Sequence, residues 1–142
     1  MFAVSRDGEF FLEKAVGKVS NLATKVERNA NATKPYISGI AHTRWATHGG
    51  VTEPNCHPHL SQTGRFIVIH NGIIENYASI KEGLQKRGHT FLSETDTEVL
   101  IHLIEDIRQH EPTMKLGHAV MAALKQVNGA YAIVILDKND PD

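Results

Sequence analysis

Residues 66–77 read Phe-Ile-Val-Ile-His-Asn-Gly-Ile-Ile-Glu-Asn-Tyr. Residues 66–70 form an unbroken, mostly β-branched apolar run closed by His70, the pattern of a strand buried on both faces. Asn71-Gly72 ends that strand. Asn76 then stands where a helix N-cap belongs, with a helix to about Arg87 and Gly88 as its C′ residue. A strand that leads through Asn-Gly towards a helix can aim a side-chain amide and a backbone N–H at one spot, as an oxyanion hole requires. Asn-Gly is also a common turn pair, and composition alone favours the turn.

Towards the C-terminus, residues 89–92 read as a short strand. Thr95 or Asp96 caps a helix whose apolar face is Val99, Leu100, Leu103, Ile104 and Ile107. Thr113 caps a further helix to about Val127, Asn128-Gly129 closes it, and residues 130–136 form another strand of the buried type. Towards the N-terminus, residues 2–5 and 9–15 make a hairpin around Asp7-Gly8. Val19, Leu22, Ala23 and Val26 recur at helical spacing over residues 19–28. Residues 29–34 form a loop, 37–43 are extended, and 47–64 are irregular, a length usually associated with function. Strands and helices mix without strict alternation, so the fold class is α+β.

Composition excludes several classes. With 16 acidic and 15 basic residues among 142 there is no bulk charge to draw the chain to nucleic acid or an anionic membrane. No apolar run reaches the roughly 18 residues of a membrane helix. The single cysteine, Cys56, permits no intrachain disulfide and fits a reducing, cytoplasmic setting.

Four groups of residues could carry chemistry. Residues 42–49 (His-Thr-Arg-Trp-Ala-Thr-His-Gly) follow an extended segment, and Arg44 there can clamp a carboxylate with two parallel hydrogen bonds. Its plainer reading is a structural ion pair, with Trp45 in the core. Asn71 and Gly72 are the oxyanion candidates. In residues 93–98 (Ser-Glu-Thr-Asp-Thr-Glu), Asp96 could bind an α-ammonium group, or simply favour a helix N-terminus. His57-Pro58-His59, with His42, His48 and His70, invites a zinc reading, but their spacing is poor for it, as is that of Cys56 beside His57.

Residues 39–60 (GIAHTRWATHGGVTEPNCHPHL), 67–77 (IVIHNGIIENY) and 91–99 (FLSETDTEV), in that order, resemble the glutaminase domain of the glutamine–fructose-6-phosphate aminotransferase family. Residues 117–137 follow in register, so the resemblance covers essentially the whole chain. It implies an N-terminal-nucleophile hydrolase-type four-layer αββα sandwich. It also implies an N-terminal Cys that attacks the glutamine side-chain amide, its own α-amino group, with a pKa of about 8, serving as base. Asn71 and Gly72 match the oxyanion-hole pair, catalytic in that sense. Arg44 matches the residue gripping the glutamine α-carboxylate, and Asp96 the one holding the α-ammonium. Thr47 and His48 match residues lining the pocket, and Trp45 one near the route by which ammonia leaves. No metal or organic cofactor is implied. The partners implied are glutamine and, through sugar-isomerase domains, fructose 6-phosphate, in a homodimeric parent enzyme.

The family's opening Cys-Gly-Ile-Val-Gly and its Tyr-Arg-Gly-Tyr-Asp-Ser segment do not occur in residues 1–142. The expectation is therefore a partial type 2 glutamine amidotransferase domain, incomplete at both ends and inactive alone, with Cys56 no substitute for the nucleophile. Two other readings stay open: a stand-alone, non-catalytic glutamine-binding module and a zinc-dependent hydrolase. Apolar strands left without cover would promote self-association, and Arg44 and Asp96 would pair when no glutamine is bound.

Overall fold

The computed structural model describes residues 1–45 and 48–141. In chain order its elements are β1 (Phe2–Val4), β2 (Phe10–Leu12), α1 (Val19–Arg28), a 3-10 turn (Ala30–Thr33), β3 (Ser38–Ile40), β4 (His59–Leu60), β5 (Phe66–Ile74), α2 (Tyr77–Lys86), α3 (Asp96–His110), α4 (Leu116–Leu124) and β6 (Gly129–Asp137). They form two antiparallel sheets, ordered β2-β1-β3 and β4-β5-β6.

Side-chain alternation along β5 explains the layering. Ile67 turns towards the first sheet and packs with Phe2 and Val4, with Leu60 and Leu136 alongside. Phe66, Val68 and Ile74 turn the other way, into the core formed with Leu84, Val99, Leu100, Ile104, Ala119 and Ala123 of α2, α3 and α4. The order is sheet, sheet, helices, and the mixed α+β class is as expected. α1 buries no residue. It is tied to the segment after β2 by Asn21 donating to the Val16 carbonyl and Lys25 to that of Lys14.

α3 is the centre of the helical layer. All eleven residues from Asp96 to Asp106 are buried, polar ones included. The charges there are paired: Glu98 accepts from the Leu92 and Ser93 amides, Glu105 from the Ser61 hydroxyl and the Thr63 amide, and Asp106 from Arg87 and His89. Thr95 is the N-cap, its hydroxyl accepting from the Glu98 amide. Gly88 ends α2 as expected. Its amide bonds the Gln85 carbonyl and that of His89 bonds Leu84, the paired closure of a Schellman motif.

Several sequence expectations are corrected. Asn71-Gly72 does not end the strand: β5 runs on to Ile74, with Asn71 opposite Ala132 and Gly72 opposite Tyr131. Residues 89–92 are not a strand, because the amides of Thr90, Leu92 and Ser93 bond side-chain oxygens of Gln62 and Glu98 instead of a neighbouring strand. Thr113 is not the cap of α4, which starts at Leu116 after Lys115 and ends at Leu124. Asn76 stands at the N-cap of α2 without capping it, its amide being spent on the Gln126 carbonyl and the Asn128 N–H. The 9–15 and 37–43 stretches pair only over Phe10–Leu12 and Ser38–Ile40, and the irregular 47–64 stretch contains β4. β6, apolar enough to suggest burial, is an edge strand with Val134 half exposed.

Candidate functional site

The second half of β5 is shaped by a close approach of two backbones. Gly72 has φ +130°, and a Cβ there would fall 2.0 Å from the Ala130 carbonyl oxygen. Gly129, with φ +140°, stands in the same relation to the Ile73 carbonyl. Only glycine fits either position, and the β5–β6 ladder closes because both have it. Beside Gly72, the Oδ1 of Asn71 lies 2.8 Å from Nε2 of His42, in the loop after β3.

α3 begins at the same place. Asp96 is buried, and its Oδ2 accepts the backbone N–H of Ile74 at 2.8 Å. Its Oδ1 lies 3.9 Å from His48 Nδ1, whose ring packs edge-on against Tyr77. A carboxylate at the start of a helix sits in the favourable end of the helix dipole. Arg44 donates to the carbonyls of His48, Gly49 and Gly50, which fixes the loop after β3. The expected Arg44–Asp96 ion pair is not formed: the guanidinium bonds those three carbonyls, and one carboxylate oxygen is taken by the Ile74 N–H. Trp45 is 88% exposed, which removes the core-packing reading.

A line of imidazoles runs beneath. His42 Nδ1 lies 3.0 Å from His57 Nδ1, and His57 Nε2 lies 3.2 Å from the Thr97 hydroxyl. The same hydroxyl lies 3.0 Å from His70 Nδ1, while His59 bonds Thr95. Burial, reinforced by the neighbouring His42, His70, Arg44 and Lys14, pushes the His57 pKa down to about 3. His70 is lowered too, by burial first, against the opposing pull of Asp96. Three of the nine histidines, His57, His59 and His70, are thus buried, hydrogen-bonded and held neutral by burial. Among the described residues no group of three or more His, Cys, Asp or Glu side chains is arranged to hold a metal ion.

Arg44, Trp45, His48, Asn71, Gly72 and Asp96 all line one cavity of about 260 Å³, joined by His57, His70, Thr95 and Thr97. That is slightly below the roughly 300–1,000 Å³ of drug-sized ligand sites, a scale suited to a small polar molecule. Thr47, the remaining expected pocket residue, lies outside the described residues. Cys56 opens onto a different cavity and donates to the Thr52 carbonyl. Thr97 was legible only as part of an acidic helix start, and His57 and His70 only as candidate zinc ligands; nothing in their spacing signals a mutual hydrogen-bonded line.

Residues 42–142 match the family model described as "Glutamine amidotransferase domain". The chain belongs to this glutamine amidotransferase family. Among curated relatives it is 51% identical to the glutamine–fructose-6-phosphate aminotransferase of Thermus thermophilus, over 86% of this chain and 19% of that protein. It is 43% identical to that of Chlorobaculum tepidum, over 96% of this chain and 22% of the relative, and 43% identical to that of Pyrococcus horikoshii, over 99% and 23%. The chain thus spans about a fifth of the length of these relatives. Among solved structures it superposes on the glutamine phosphoribosylpyrophosphate amidotransferase of B. subtilis with a TM-score of 0.72 at 26% identity, over 96% of this chain and 28% of that one. A structure titled as the allosteric regulatory enzyme of purine biosynthesis gives 0.70 at 27% identity, over 96% and 29%. The fold of this glutamine amidotransferase domain is therefore that of the N-terminal-nucleophile amidotransferases. No described helix is long and apolar enough to cross a membrane.

Proposed function

We propose that this domain supplies the glutamine pocket and oxyanion hole of a cytoplasmic, homodimeric enzyme that releases ammonia from glutamine and passes it to fructose 6-phosphate. The observation that carries the reading is the convergence on one cavity of Asn71 and Gly72 from β5, Asp96 from the start of α3 and Arg44 from the loop after β3. A guanidinium, a carboxylate and an amide donor pair are the complement of an α-carboxylate, an α-ammonium and a carboxamide oxygen. Asp96 suits the ammonium because one oxygen is held by Ile74 and the other is left towards His48 and the cavity.

In hydrolysis a nucleophile gives up its proton to a base as it attacks the carboxamide carbon, and the carbonyl π electrons move onto oxygen. As the tetrahedral adduct collapses the C–N bond breaks, the nitrogen takes up that proton and leaves as ammonia, and water then cleaves the acyl adduct to glutamate and the free nucleophile. The Asn71 side-chain N–H and the Gly72 backbone N–H are the donors assigned to the transient oxyanion. Thr47 and His48 are assigned to the pocket wall, and Trp45 to the side from which ammonia departs. Among the described residues lining the cavity there is no thiol, and Cys56 lines a different one. The 142 residues are accordingly expected to bind glutamine without turning it over.

Calorimetric titration of the purified chain with L-glutamine, alongside an ammonia-release assay, tests this. The expected result is one-to-one binding, lost in Arg44→Ala, and no turnover. An absence of binding would overturn the reading of the pocket, and turnover within the usual enzyme range of about 1–10³ per second would overturn the reading of the nucleophile.

A further inference from the structure

Asn71 can stabilise an oxyanion only if its NH2 end, not its carbonyl end, faces the cavity. The two ends of a primary amide are nearly equal in size, so shape does not choose between them. The choice is made by what the amide meets at its back, and there the structure has a chain of four hydrogen bonds. It runs from Asn71 Oδ1 to His42 Nε2 (2.8 Å), from His42 Nδ1 to His57 Nδ1 (3.0 Å), from His57 Nε2 to Thr97 Oγ1 (3.2 Å) and from Thr97 Oγ1 to His70 Nδ1 (3.0 Å).

A neutral imidazole has one N–H and one bare nitrogen, so fixing one end fixes the other. The chain therefore has a direction. With the Asn71 carbonyl facing back, His42 must be protonated on Nε2 and bare on Nδ1. His57 must then donate from Nδ1 and accept at Nε2 from the Thr97 hydroxyl, which accepts in turn from His70 Nδ1–H. Every bond in the line is satisfied, and His70 Nε2, buried without a partner, is left bare. In the reverse direction His42 presents a bare Nε2, which repels the carbonyl and turns the NH2 of Asn71 away from the cavity. His70 and Asn71, adjacent on β5 and pointing to opposite faces, are thus joined through residues of three other segments.

We propose that His42 is a positioning residue: its Nε2–H, set through His57 and Thr97 by His70, holds the Asn71 amide with its NH2 group towards the cavity. Support comes from the surroundings of the line. Burial and the nearby Arg44 and Lys14 keep His57 neutral, and a second proton on it would give two donors and destroy the direction. His48 and Asp96 act oppositely on His70, and burial keeps it on the neutral side.

The proposal rests on the reading of Asn71 as an oxyanion donor, but its test does not need activity. Long-range nitrogen–proton NMR on the 142-residue chain at pH 7 reads each imidazole tautomer. The expected pattern is a proton on Nε2 of His42, Nδ1 of His57 and Nδ1 of His70. Thr97→Val cuts the line between His57 and His70, and His42 and His57 then become mixtures of tautomers, while Thr97→Ser restores the wild-type pattern. Adding L-glutamine should shift the Asn71 side-chain amide protons in the wild type and in Thr97→Ser, and much less in Thr97→Val. A bare His42 Nε2 in the wild type would overturn the proposal, as would a His42 that keeps one tautomer in Thr97→Val. Should Thr97→Val not fold, the wild-type pattern decides alone. If glutamine moves no resonance of Arg44, Asp96 or Asn71, it is the functional reading that fails, and the nitrogen shifts still decide the direction of the line.

Discussion

Ile74, the last residue of β5, donates its backbone N–H to Oδ2 of Asp96, the first residue of α3, at 2.8 Å. One carboxylate therefore joins strand to helix with one oxygen and faces the cavity with the other. The two duties are separable by mutation. Asp96→Asn keeps an acceptor for Ile74 and loses the charge, so stability should change by less than about 1 kcal/mol. Glutamine affinity should fall roughly 10- to 150-fold, the equivalent of about 1.5–3 kcal/mol for a charged hydrogen bond. Asp96→Ala also orphans the Ile74 N–H and should cost a further 1–3 kcal/mol or so of stability. Denaturant titration and calorimetry on both variants check this, and equal affinity in wild type and Asp96→Asn would remove Asp96 from the ammonium site.

Gly72→Ala should be among the most damaging small substitutions in the chain. The added methyl would meet the Ala130 carbonyl at 2.0 Å and force φ +130° on an L-residue. A loss of about 3 kcal/mol or more is expected from strain and a broken ladder. Gly117→Ala, where a Cβ meets nothing within 4 Å, is the control and should be neutral to stabilising by up to about 1 kcal/mol. Urea unfolding of the pair reads the contrast.

Cys56→Ala should be silent. The thiol's bond to the Thr52 carbonyl is weak at 3.3 Å, and the neighbouring His57 is engaged with His42 and Thr97, not with sulfur. A stability change under about 1 kcal/mol is expected, with unchanged glutamine binding. Loss of binding would show that Cys56 belongs to the site.

Acid should destabilise the fold before its carboxylates titrate. Burial lowers His57 to about 3 and His59 to about 2, against an ordinary value of 6.5. Above pH 6.5 neither the folded nor the unfolded chain protonates them. As pH falls from there towards 3, the unfolded chain takes up protons that the fold refuses, so stability declines. At pH 5 each histidine accounts for at most about 2 kcal/mol. Urea midpoints at pH 7.5 and 5.0 measure the drop, and His57→Gln with His59→Gln should flatten it. An unchanged midpoint in the wild type would contradict the buried, neutral assignment.

β6 pairs with β5 on one side only, and Tyr131 and Val134 on it are 37% and 50% exposed. An exposed apolar edge tends to recruit another strand. The 142-residue chain should self-associate as its concentration rises, and Val134→Lys should weaken that. Sedimentation at several micromolar concentrations decides, and a monomer throughout would mean that the edge is protected by its own twist and length.

What could be read in the sequence was what depends on local pattern. The 19, 22, 23, 26 spacing gave α1 its bounds, and Thr95 capped α3 as its type and position suggested. The residues proposed for the pocket lie in three compact motifs, and Arg44, Trp45, His48, Asn71, Gly72 and Asp96 among them line one cavity. Asn71-Gly72 misled as a turn because pairing with β6, some 60 residues away at Asn71↔Ala132 and invisible to local pattern, carries the strand on to Ile74. The imidazole line was hidden for the same reason: its links span 15, 40, 27 and 29 residues. Residues 130–136 looked buried by composition, but burial depends on which strands lie alongside.

The eleven-residue buried stretch of α3 has a consequence for how the sequence can drift. A helix with one wet side can vary there without penalty; this one is walled in by β5, α2, α4 and the loops around Ser61 and Ser93. Its polar positions are as constrained as its apolar ones, since Glu98, Glu105 and Asp106 each hold neighbouring segments in place. Random mutagenesis with selection for folding should therefore leave residues 96–106 as a nearly unbroken block of intolerance, where an ordinary amphipathic helix would show tolerance returning every third or fourth residue.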